Sequence, residues 1–414
     1  MERSQFTRRD ALRAGAAGAA GLGLLTVAGP AAAFPGAQTA STVVVPWLDQ
    51  PPPVPEPAQG VVLRQLRWED LDTRITPNAE HFVVKHYDLP ALSPATWRLG
   101  VVGQVARPLT LDLTALRAHP RRDVEVTMEC SGNHGLPFFT GGIGTARWGG
   151  VQLRRLLRLA GPLAGADEVV FWGADRGAVT VRDNSGITGA GSTGTTVPDG
   201  GGGLDLTVTE RFARSMTLEE ALAPDNVVAY EMNGAPLPRE HGFPARLVAP
   251  GWYGVANVKW LTAVELQSER FAGRFTARDY VTVREQVRGG ETAWTFTTVG
   301  KDRLKSAPAR VTRTGSTYAI TGAAWGAPVS RVEVSIDGQP FRPARLQRQM
   351  SGGEHTWQFW TYDWGTPAPG EHTVRSRAFD TSGAVQPWPG DGFLTSRRTY
   401  WEANGQVTRR VRVG

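Results

Sequence analysis

The sequence predicts an α+β domain built on a mixed sheet, followed by a separate β-sandwich. From about residue 67 to about residue 264, short apolar runs alternate with brief helical patterns, which is typical of an α+β fold. After about residue 310, short β-runs recur at regular spacing. The 49 glycines and 29 prolines among 414 residues favour many turns and short strands. We therefore divide the chain into residues 1–33, 34–60, 61–300 and 301–414.

Residues 1–33 are predicted to be a twin-arginine export signal. Thr7-Arg8-Arg9-Asp10-Ala11-Leu12 precedes an apolar run that ends at Val27, and Pro30-Ala31-Ala32-Ala33 offers a cleavage site. The apolar run is rich in glycine and shorter than the ~20 residues that a membrane span needs. We expect a periplasmic or otherwise exported protein with no stable membrane span after signal removal. Because this route carries folded proteins, the signal also predicts a cofactor.

Residues 34–60 are rich in proline, and we expect them to wrap or link rather than to form a core. Within residues 61–300, apolar runs predict strands at 98–102, 168–172 and 258–261. Helical patterns lie at 112–118, 150–160 and 217–222. Residues 184–203 form a Gly/Thr/Ser-rich stretch without a Gly-Lys-[Ser/Thr] signature, which favours a long surface or active-site loop over a phosphate cradle.

Residues 301–414 carry β-runs at 318–320, 331–336, 357–360 and 372–378. Asp337-Gly338 predicts a hairpin turn after the second of these runs. The pattern favours a β-sandwich of immunoglobulin type without its disulfide, because the chain has one cysteine. The net charge of +6 comes almost wholly from arginines that are scattered along the sequence, so we expect no nucleic-acid partner.

The single cysteine, Cys130, follows a run in which Val124, Val126 and Met128 alternate with polar residues. This alternation predicts a half-buried strand that ends at the thiol. In an oxidising compartment, a lone cysteine is a buried thiol, an intermolecular bridge or a ligand. The sequence contains no Cys-x-x-Cys-His motif and therefore no covalent c-type haem, so the electrons of any redox reaction must leave through another protein.

Six ordered motifs resemble the sulfite oxidase family of molybdenum enzymes over nearly the whole mature chain. They are Met128-Glu129-Cys130-Ser131-Gly132-Asn133, Gly144-Thr145-Ala146-Arg147-Trp148-Gly149-Gly150, Ala229-Tyr230-Glu231-Met232-Asn233-Gly234, His241-Gly242-Phe243-Pro244-x-Arg246-Leu247, Val258-Lys259-Trp260-Leu261 and Arg278-Asp279-Tyr280. The resemblance implies molybdenum bound by one molybdopterin dithiolene and by the Cys130 thiolate, a soft ligand that suits a transition metal.

The resemblance also implies roles for further side chains. The cofactor-binding positions are His86, Asp175, His241, Arg246 and Lys259. An arginine makes bidentate phosphate contacts and a lysine supplies a point charge. Tyr280 matches the active-site tyrosine, which donates a hydrogen bond and relays a proton. Arg398, beside Arg397, is placed where the family uses a late arginine from its β-sandwich.

This chain departs from the sulfite-oxidising members at three places. Val84, with Lys85 alongside, stands where they carry an arginine two residues before the pterin-binding histidine. His134 and Gly135 stand where arginines often follow the cysteine, and Phe138 or Phe139 replaces a pocket tryptophan. A pocket for a small dianion needs fixed positive charge, so these changes weaken the case for sulfite itself. His134 is expected to supply charge below its pKa.

The resemblance implies oxygen-atom transfer to a small sulfur-containing anion, with electrons passed to soluble cytochrome c or a similar acceptor, in a homodimer formed through the β-sandwich. The nearest alternative is sulfoxide reduction. Two alternatives belong to other classes: a metal-free hydrolase with Cys130 as nucleophile and His134 or His241 as base, and a secreted binding protein.

Overall fold

The computed structural model describes residues 41–56, 58–183, 204–347 and 353–414. The predicted export signal at 1–33 and the Gly/Thr/Ser-rich stretch at 184–203 lie outside the described residues. Among the described residues, no helix is long and apolar enough to cross a membrane.

The described chain is mostly sheet, with few and short helices. The strands are β1 (Thr42–Val45), β2 (Val62–Arg64), β3 (Val83–Val84), β4 (Leu99–Gly103), β5 (Leu109–Leu111), β6 (Arg121–Glu129), β7 (Ile143–Gln152), β8 (Glu168–Asp183), β9 (Leu204–Thr217), β10 (Val227–Met232), β11 (Ala235–Pro236), β12 (Arg246–Val248), β13 (Leu261–Gln267), β14 (Val281–Arg288), β15 (Glu291–Thr298), β16 (Lys305–Thr314), β17 (Thr317–Trp325), β18 (Val329–Ile336), β19 (Arg342–Pro343), β20 (Arg345–Leu346), β21 (Gln358–Gly365), β22 (Gly370–Asp380) and β23 (Thr408–Val413). The helices are α1 (Leu113–Arg117), α2 (Leu153–Ala160), α3 (Leu218–Ala221), α4 (Arg274–Ala277) and α5 (Gly392–Thr395).

The three helical patterns predicted from the sequence are confirmed as α1, α2 and α3. Helix α2 buries Leu153, Leu156, Leu157 and Ala160 on one face and ends at Gly161, whose φ of 67° suits glycine. Helix α3 begins with a capping box between Thr217 and Glu220. These local signals explain why the sequence predicts helices at these positions.

Two five-stranded sheets build the first half of the fold. One has the order β5-β4-β13-β8-β9 and is mixed, because β4 and β13 are parallel while the other pairs are antiparallel. The other has the order β11-β10-β7-β6, with β12 also paired to β10. The mixed sheet predicted from the sequence is confirmed. The predicted strand at 258–261 is shifted, because β13 begins at Leu261 and the residues before it form a loop in which Trp260 has a φ of 49°.

The late strands form a five-stranded sheet, β1-β16-β17-β21-β20, and a four-stranded sheet, β19-β18-β22-β23. A shared apolar core that includes Val311, Val332, Trp360 and Val411 lies between them. At the predicted hairpin turn, Asp337 and Gly338 have φ values of 51° and 72°, as an Asp-Gly turn requires.

The proline-rich segment contributes more than the sequence predicts. Strand β1 extends the five-stranded sheet by pairing with β16, and Trp47 is 2% exposed in the shared core. The Trp47 indole also donates to the Ala309 carbonyl at 2.8 Å. The expectation that this segment stays out of a core is therefore corrected for its described residues: Thr42–Val45 form an edge strand, and Trp47 anchors it in the core.

Candidate active site

Cys130 lies directly after β6, in a loop whose shape is set by backbone hydrogen bonds. The Cys130 amide donates to the Gly142 carbonyl at 2.8 Å, and the Asn133 amide donates back to the Cys130 carbonyl at 2.9 Å. Val124, Val126 and Met128 are buried as the alternation predicts, and the strand end at Cys130 is confirmed. The Cys130 side chain is buried, and burial raises the pKa of its thiol to about 12.

The Cys130 thiol lies at a cavity that encloses about 630 Å³ of empty space, part of it open to solvent. The cavity brings together seven of the nine predicted site residues: His86, Cys130, Asp175, His241, Arg246, Lys259 and Tyr280. They come from seven separate places in the fold. These are the segment after β3, the end of β6, an irregularity in β8, the short 3-10 helix Arg239–His241, the start of β12 and the segments that precede β13 and β14.

Two buried cations in this cavity contact no carboxylate among the described residues. Lys259 Nζ donates to the carbonyl oxygens of Val84 at 2.9 Å and Glu240 at 3.0 Å. The Arg246 guanidinium donates to the carbonyl oxygens of Asn257 at 2.9 Å and His241 at 3.1 Å. Burial lowers the pKa of Lys259 to about 7 and that of Arg246 to about 9. Burying such charges without a counter-ion is unfavourable, so this wall of the cavity suits an anion.

The histidines of the cavity are neutral. Burial lowers the pKa of His241 to about 2, that of His86 to about 3 and that of His81 to about 4. Burial also raises the pKa of Asp175 to about 7. His81 Nε2 and Asp175 Oδ1 are buried polar atoms with no hydrogen-bond partner in the described structure. Two such atoms in one cavity indicate a bound group that supplies their partners.

Tyr280 connects the cavity to an aromatic stack. Its hydroxyl lies 2.6 Å from His86 Nε2. Its ring stacks on Trp401 with centroids 4.2 Å apart, and Trp401 contacts Tyr400 with centroids 4.1 Å apart. A Cβ on Gly132 would lie 3.5 Å from both rings of the Tyr400–Trp401 pair. The pair therefore packs directly on the loop that carries Cys130.

His134 does not line this cavity. Its backbone adopts a φ of 61°, and its ring packs on Trp68 with centroids 6.1 Å apart. It lines a different cavity that also contains Arg397. Burial lowers the pKa of His134 well below its usual range, so the expectation that it supplies positive charge is corrected.

Arg398 does not line the cavity either. Its side chain is 46% exposed, pairs with Glu285 and donates to the Thr395 carbonyl at 2.6 Å. Arg397 donates to the Trp401 carbonyl at 2.8 Å and is also absent from the cavity lining. The late segment instead brings Tyr400 and Trp401 to the Cys130 loop, a contact that no pattern in the sequence predicts.

The thiol is not arranged as a hydrolytic nucleophile. Within the described residues, the hydrogen bonds of His86, His81 and His241 go to other groups, and none goes to Cys130. A thiol with a pKa of about 12 carries little thiolate at neutral pH. The described residues also contain no group of three or more His, Cys, Asp or Glu side chains that could hold a metal ion.

Comparison with known proteins gives a consistent result. Residues 86–275 match a family model described as the oxidoreductase molybdopterin binding domain. The chain is 31% identical over 341 residues to sulfite oxidase of Gallus gallus, covering 76% of this chain and 68% of that protein. It is 33% identical over 348 residues to mitochondrial sulfite oxidase of Mus musculus, and spans 57% of that protein's length. The crystal structure of the sulfane dehydrogenase SoxCD from Paracoccus pantotrophus matches with a TM-score of 0.66 and 25% identity, covering 83% of this chain and 85% of that one.

Proposed function

The chain belongs to the sulfite oxidase family and is a molybdopterin-dependent oxidoreductase, and from this premise we propose that it oxidises a small sulfur compound, sulfite or a related species. One observation carries the proposal. The single thiol of the chain, Cys130, shares a cavity with two buried cations, Arg246 and Lys259, that contact no carboxylate among the described residues.

The residues of the cavity fit the molybdenum cofactor. Cys130 would supply the thiolate ligand. Burial keeps the free thiol protonated, and a bound metal would displace that proton. Arg246, Lys259 and the neutral His241 would bind the phosphate of the pterin. Asp175 would accept from the pterin ring through its unpaired Oδ1. When bound, the cofactor supplies two-electron oxygen-atom transfer between water and the sulfur compound.

Tyr280 and His86 would hold and move a proton beside the cofactor. Burial raises the pKa of Tyr280 well above 10, so the phenol stays protonated and donates. His86 is neutral, and in the tautomer that carries its proton on Nδ1 its Nε2 accepts from the Tyr280 hydroxyl at 2.6 Å. This pair keeps a proton available at the Tyr280 oxygen while Trp401 fixes the orientation of its ring.

The walls of the cavity bear on the choice of sulfur substrate. Val84 is apolar, and Lys85 is the remaining cation beside Arg246 and Lys259. The Tyr400–Trp401 pair stands beside the cysteine loop, and neither Arg397 nor Arg398 lines the cavity. Weaker fixed charge favours a substrate with fewer negative charges than the sulfite dianion, such as a sulfane sulfur atom. Electrons would pass to an external acceptor such as soluble cytochrome c.

The test combines metal analysis with steady-state kinetics. Protein purified from a host that makes molybdopterin should contain about one molybdenum per chain, and should reduce cytochrome c with at least one of sulfite, thiosulfate-derived or sulfane substrates. Cys130→Ser should lose molybdenum and activity together. Full activity in Cys130→Ser would refute the proposed ligation, and activity only with a sulfoxide and a reductant would reverse the direction of the reaction.

The proposal also covers the export of the chain, the type of its second domain and its association into a dimer. We propose that residues 1–33 direct export through the twin-arginine route, and that residues 301–414 are an immunoglobulin-like domain through which two chains associate. The arginine pair before an apolar run supports the export assignment, and the two-sheet core of the late strands supports the domain type. Cell fractionation with Arg8→Lys/Arg9→Lys tests the first, since this variant should remain in the cytoplasm. Light scattering of the purified protein tests the second.

A further inference from the structure

A buried ion pair connects the β-sandwich to the residue before Cys130. Glu129 ends β6 and is 0% exposed, and Lys305, at the start of β16, is 1% exposed. Lys305 Nζ donates to Glu129 Oε1 at 2.5 Å, and the Trp325 indole donates to Oε2 at 2.8 Å. Lys305 and Trp325 lie directly opposite each other in the β16–β17 pair. One end of this hairpin therefore holds both oxygens of one carboxylate.

The same carboxylate extends the connection into the cysteine loop. Asn133 Nδ2 donates to Glu129 Oε1 at 2.8 Å, and its Oδ1 accepts from the Gly142 amide at 3.0 Å. The Gly142 carbonyl in turn accepts from the Cys130 amide at 2.8 Å. Lys305 Nζ also donates to the Asn133 carbonyl at 3.3 Å. The loop is held at both ends by groups that meet at Glu129.

Stability alone does not account for this arrangement. A buried ion pair is often no more stabilising than apolar residues of the same volume, because both charges lose their hydration. A fully satisfied polar network does fix one geometry, since each alternative leaves a buried group unpaired. The geometry fixed here is that of the residues on either side of the proposed metal ligand.

We infer that Lys305 and Trp325 are positioning residues that hold the Cys130 loop in its ligating conformation through Glu129 and Asn133. The inference deepens the proposed function, since it rests on Cys130 as the metal ligand. It assigns to the β-sandwich a role in the active site besides any role in association.

The chain offers two matched pairs of variants for the test. Trp325→Phe removes the buried indole donor to Glu129, whereas Trp360→Phe removes a buried indole donor to Ser306 Oγ, 3.0 Å away in the same sandwich. Glu129→Gln removes the carboxylate at the loop, whereas Glu125→Gln removes a carboxylate on the same strand that pairs with Arg147. Each control makes the same chemical change away from the cysteine loop.

The primary measurement is the alkylation rate of Cys130 by iodoacetamide in full-length protein from a host that cannot make molybdopterin. Cys130 is the only thiol, so labelling is unambiguous. Trp325→Phe and Glu129→Gln should be alkylated about fivefold faster than the wild type. Loss of one buried hydrogen bond increases the equilibrium constant for local opening of the loop by about that factor. Trp360→Phe and Glu125→Gln should match the wild type. Equal rates within each pair would overturn the inference.

A second measurement uses the cofactor-loaded protein. The Mo(V) electron paramagnetic resonance signal should change in Trp325→Phe and Glu129→Gln, because the thiolate ligand is reoriented, and should not change in the two controls. An unchanged signal in all four variants would overturn the inference. Failure of the proposed metal ligation is separable, since it would show as full activity in Cys130→Ser and would leave the alkylation comparison intact.

Discussion

Replacing Lys259 with methionine should stabilise the cofactor-free protein at low pH. Burial lowers the pKa of Lys259 from 10.5 to about 7, so its charged form costs about 5 kcal/mol in the folded state. Methionine removes this cost, but leaves the Val84 and Glu240 carbonyls without their donor, at about 1 kcal/mol each. The net gain in the free energy of unfolding at pH 6 is therefore about 3 kcal/mol.

The pH dependence of this gain follows from the direction of the pKa change. Because the folded-state pKa lies below the unfolded-state value, the cost is complete below pH 7, decreases as the pH rises, and disappears near pH 10.5. At pH 9 the cost in the wild type is about 2 kcal/mol, which the lost hydrogen bonds offset. The advantage of Lys259→Met should thus fall from about 3 kcal/mol at pH 6 to about zero at pH 9.

Guanidinium chloride unfolding of cofactor-free protein between pH 6 and pH 9, followed by tryptophan fluorescence, measures this change. Lys301→Met is the matched control, because it makes the same substitution at an exposed lysine outside the cavity. The reasoning fails if the Lys259→Met advantage is the same at both pH values. In the host that makes molybdopterin, the same variant should retain less molybdenum, since the anion loses its point charge.

The remaining predictions concern other parts of the site and fold. Tyr280→Phe should lower kcat roughly 100-fold, the usual effect of losing a proton donor, with molybdenum content unchanged by elemental analysis. Arg398→Ala should leave kcat/KM within roughly twofold of the wild-type value, because the exposed Arg398–Glu285 ion pair lies outside the cavity. A larger loss in steady-state assays would show that Arg398 acts in the active site. In Gly135→Ala the added Cβ would lie 1.9 Å from the Tyr400 carbonyl oxygen, so metal analysis should find less molybdenum. Trp47→Ala should lower the free energy of unfolding by about 3–5 kcal/mol in denaturant titration.

Local pattern accounts for the parts of the fold that the sequence predicts well. The three helices have apolar spacing or caps that act within one or two turns, and Asp337-Gly338 needs only its own backbone preference. The strand end at Cys130 follows from the alternation before it. The placement of seven of nine predicted site residues around one cavity came from the family resemblance, because no local pattern joins His86 to Lys259.

The parts that sequence reasoning missed depend on contacts between distant segments. Glu129 occupies the polar phase of the β6 alternation and yet is fully buried, because Lys305 and Trp325 cover it from the β-sandwich. Trp401 reaches Tyr280 across more than a hundred residues of sequence. The one available signal was the pair Gly132 and Gly135, which leaves room beside the cysteine for another segment, but glycine does not identify its neighbour.

Two groups of buried charged residues lie near Cys130, and only one of them is paired within the protein. This difference links the stability of the fold to cofactor loading. Glu129 meets Lys305 inside the protein, so its charge is balanced whether or not the cofactor is bound. Lys259 and Arg246 donate only to carbonyl oxygens and to Met128 sulfur, so no carboxylate pairs with them directly and an anion in the cavity would balance their charges. A ligand that binds only the folded state stabilises it by mass action, and relief of the burial cost of two cations is part of its binding free energy here. Loading should therefore stabilise the fold most at low pH, where the unloaded protein keeps both cations charged, which suits a chain proposed to be exported only after it has folded around its cofactor.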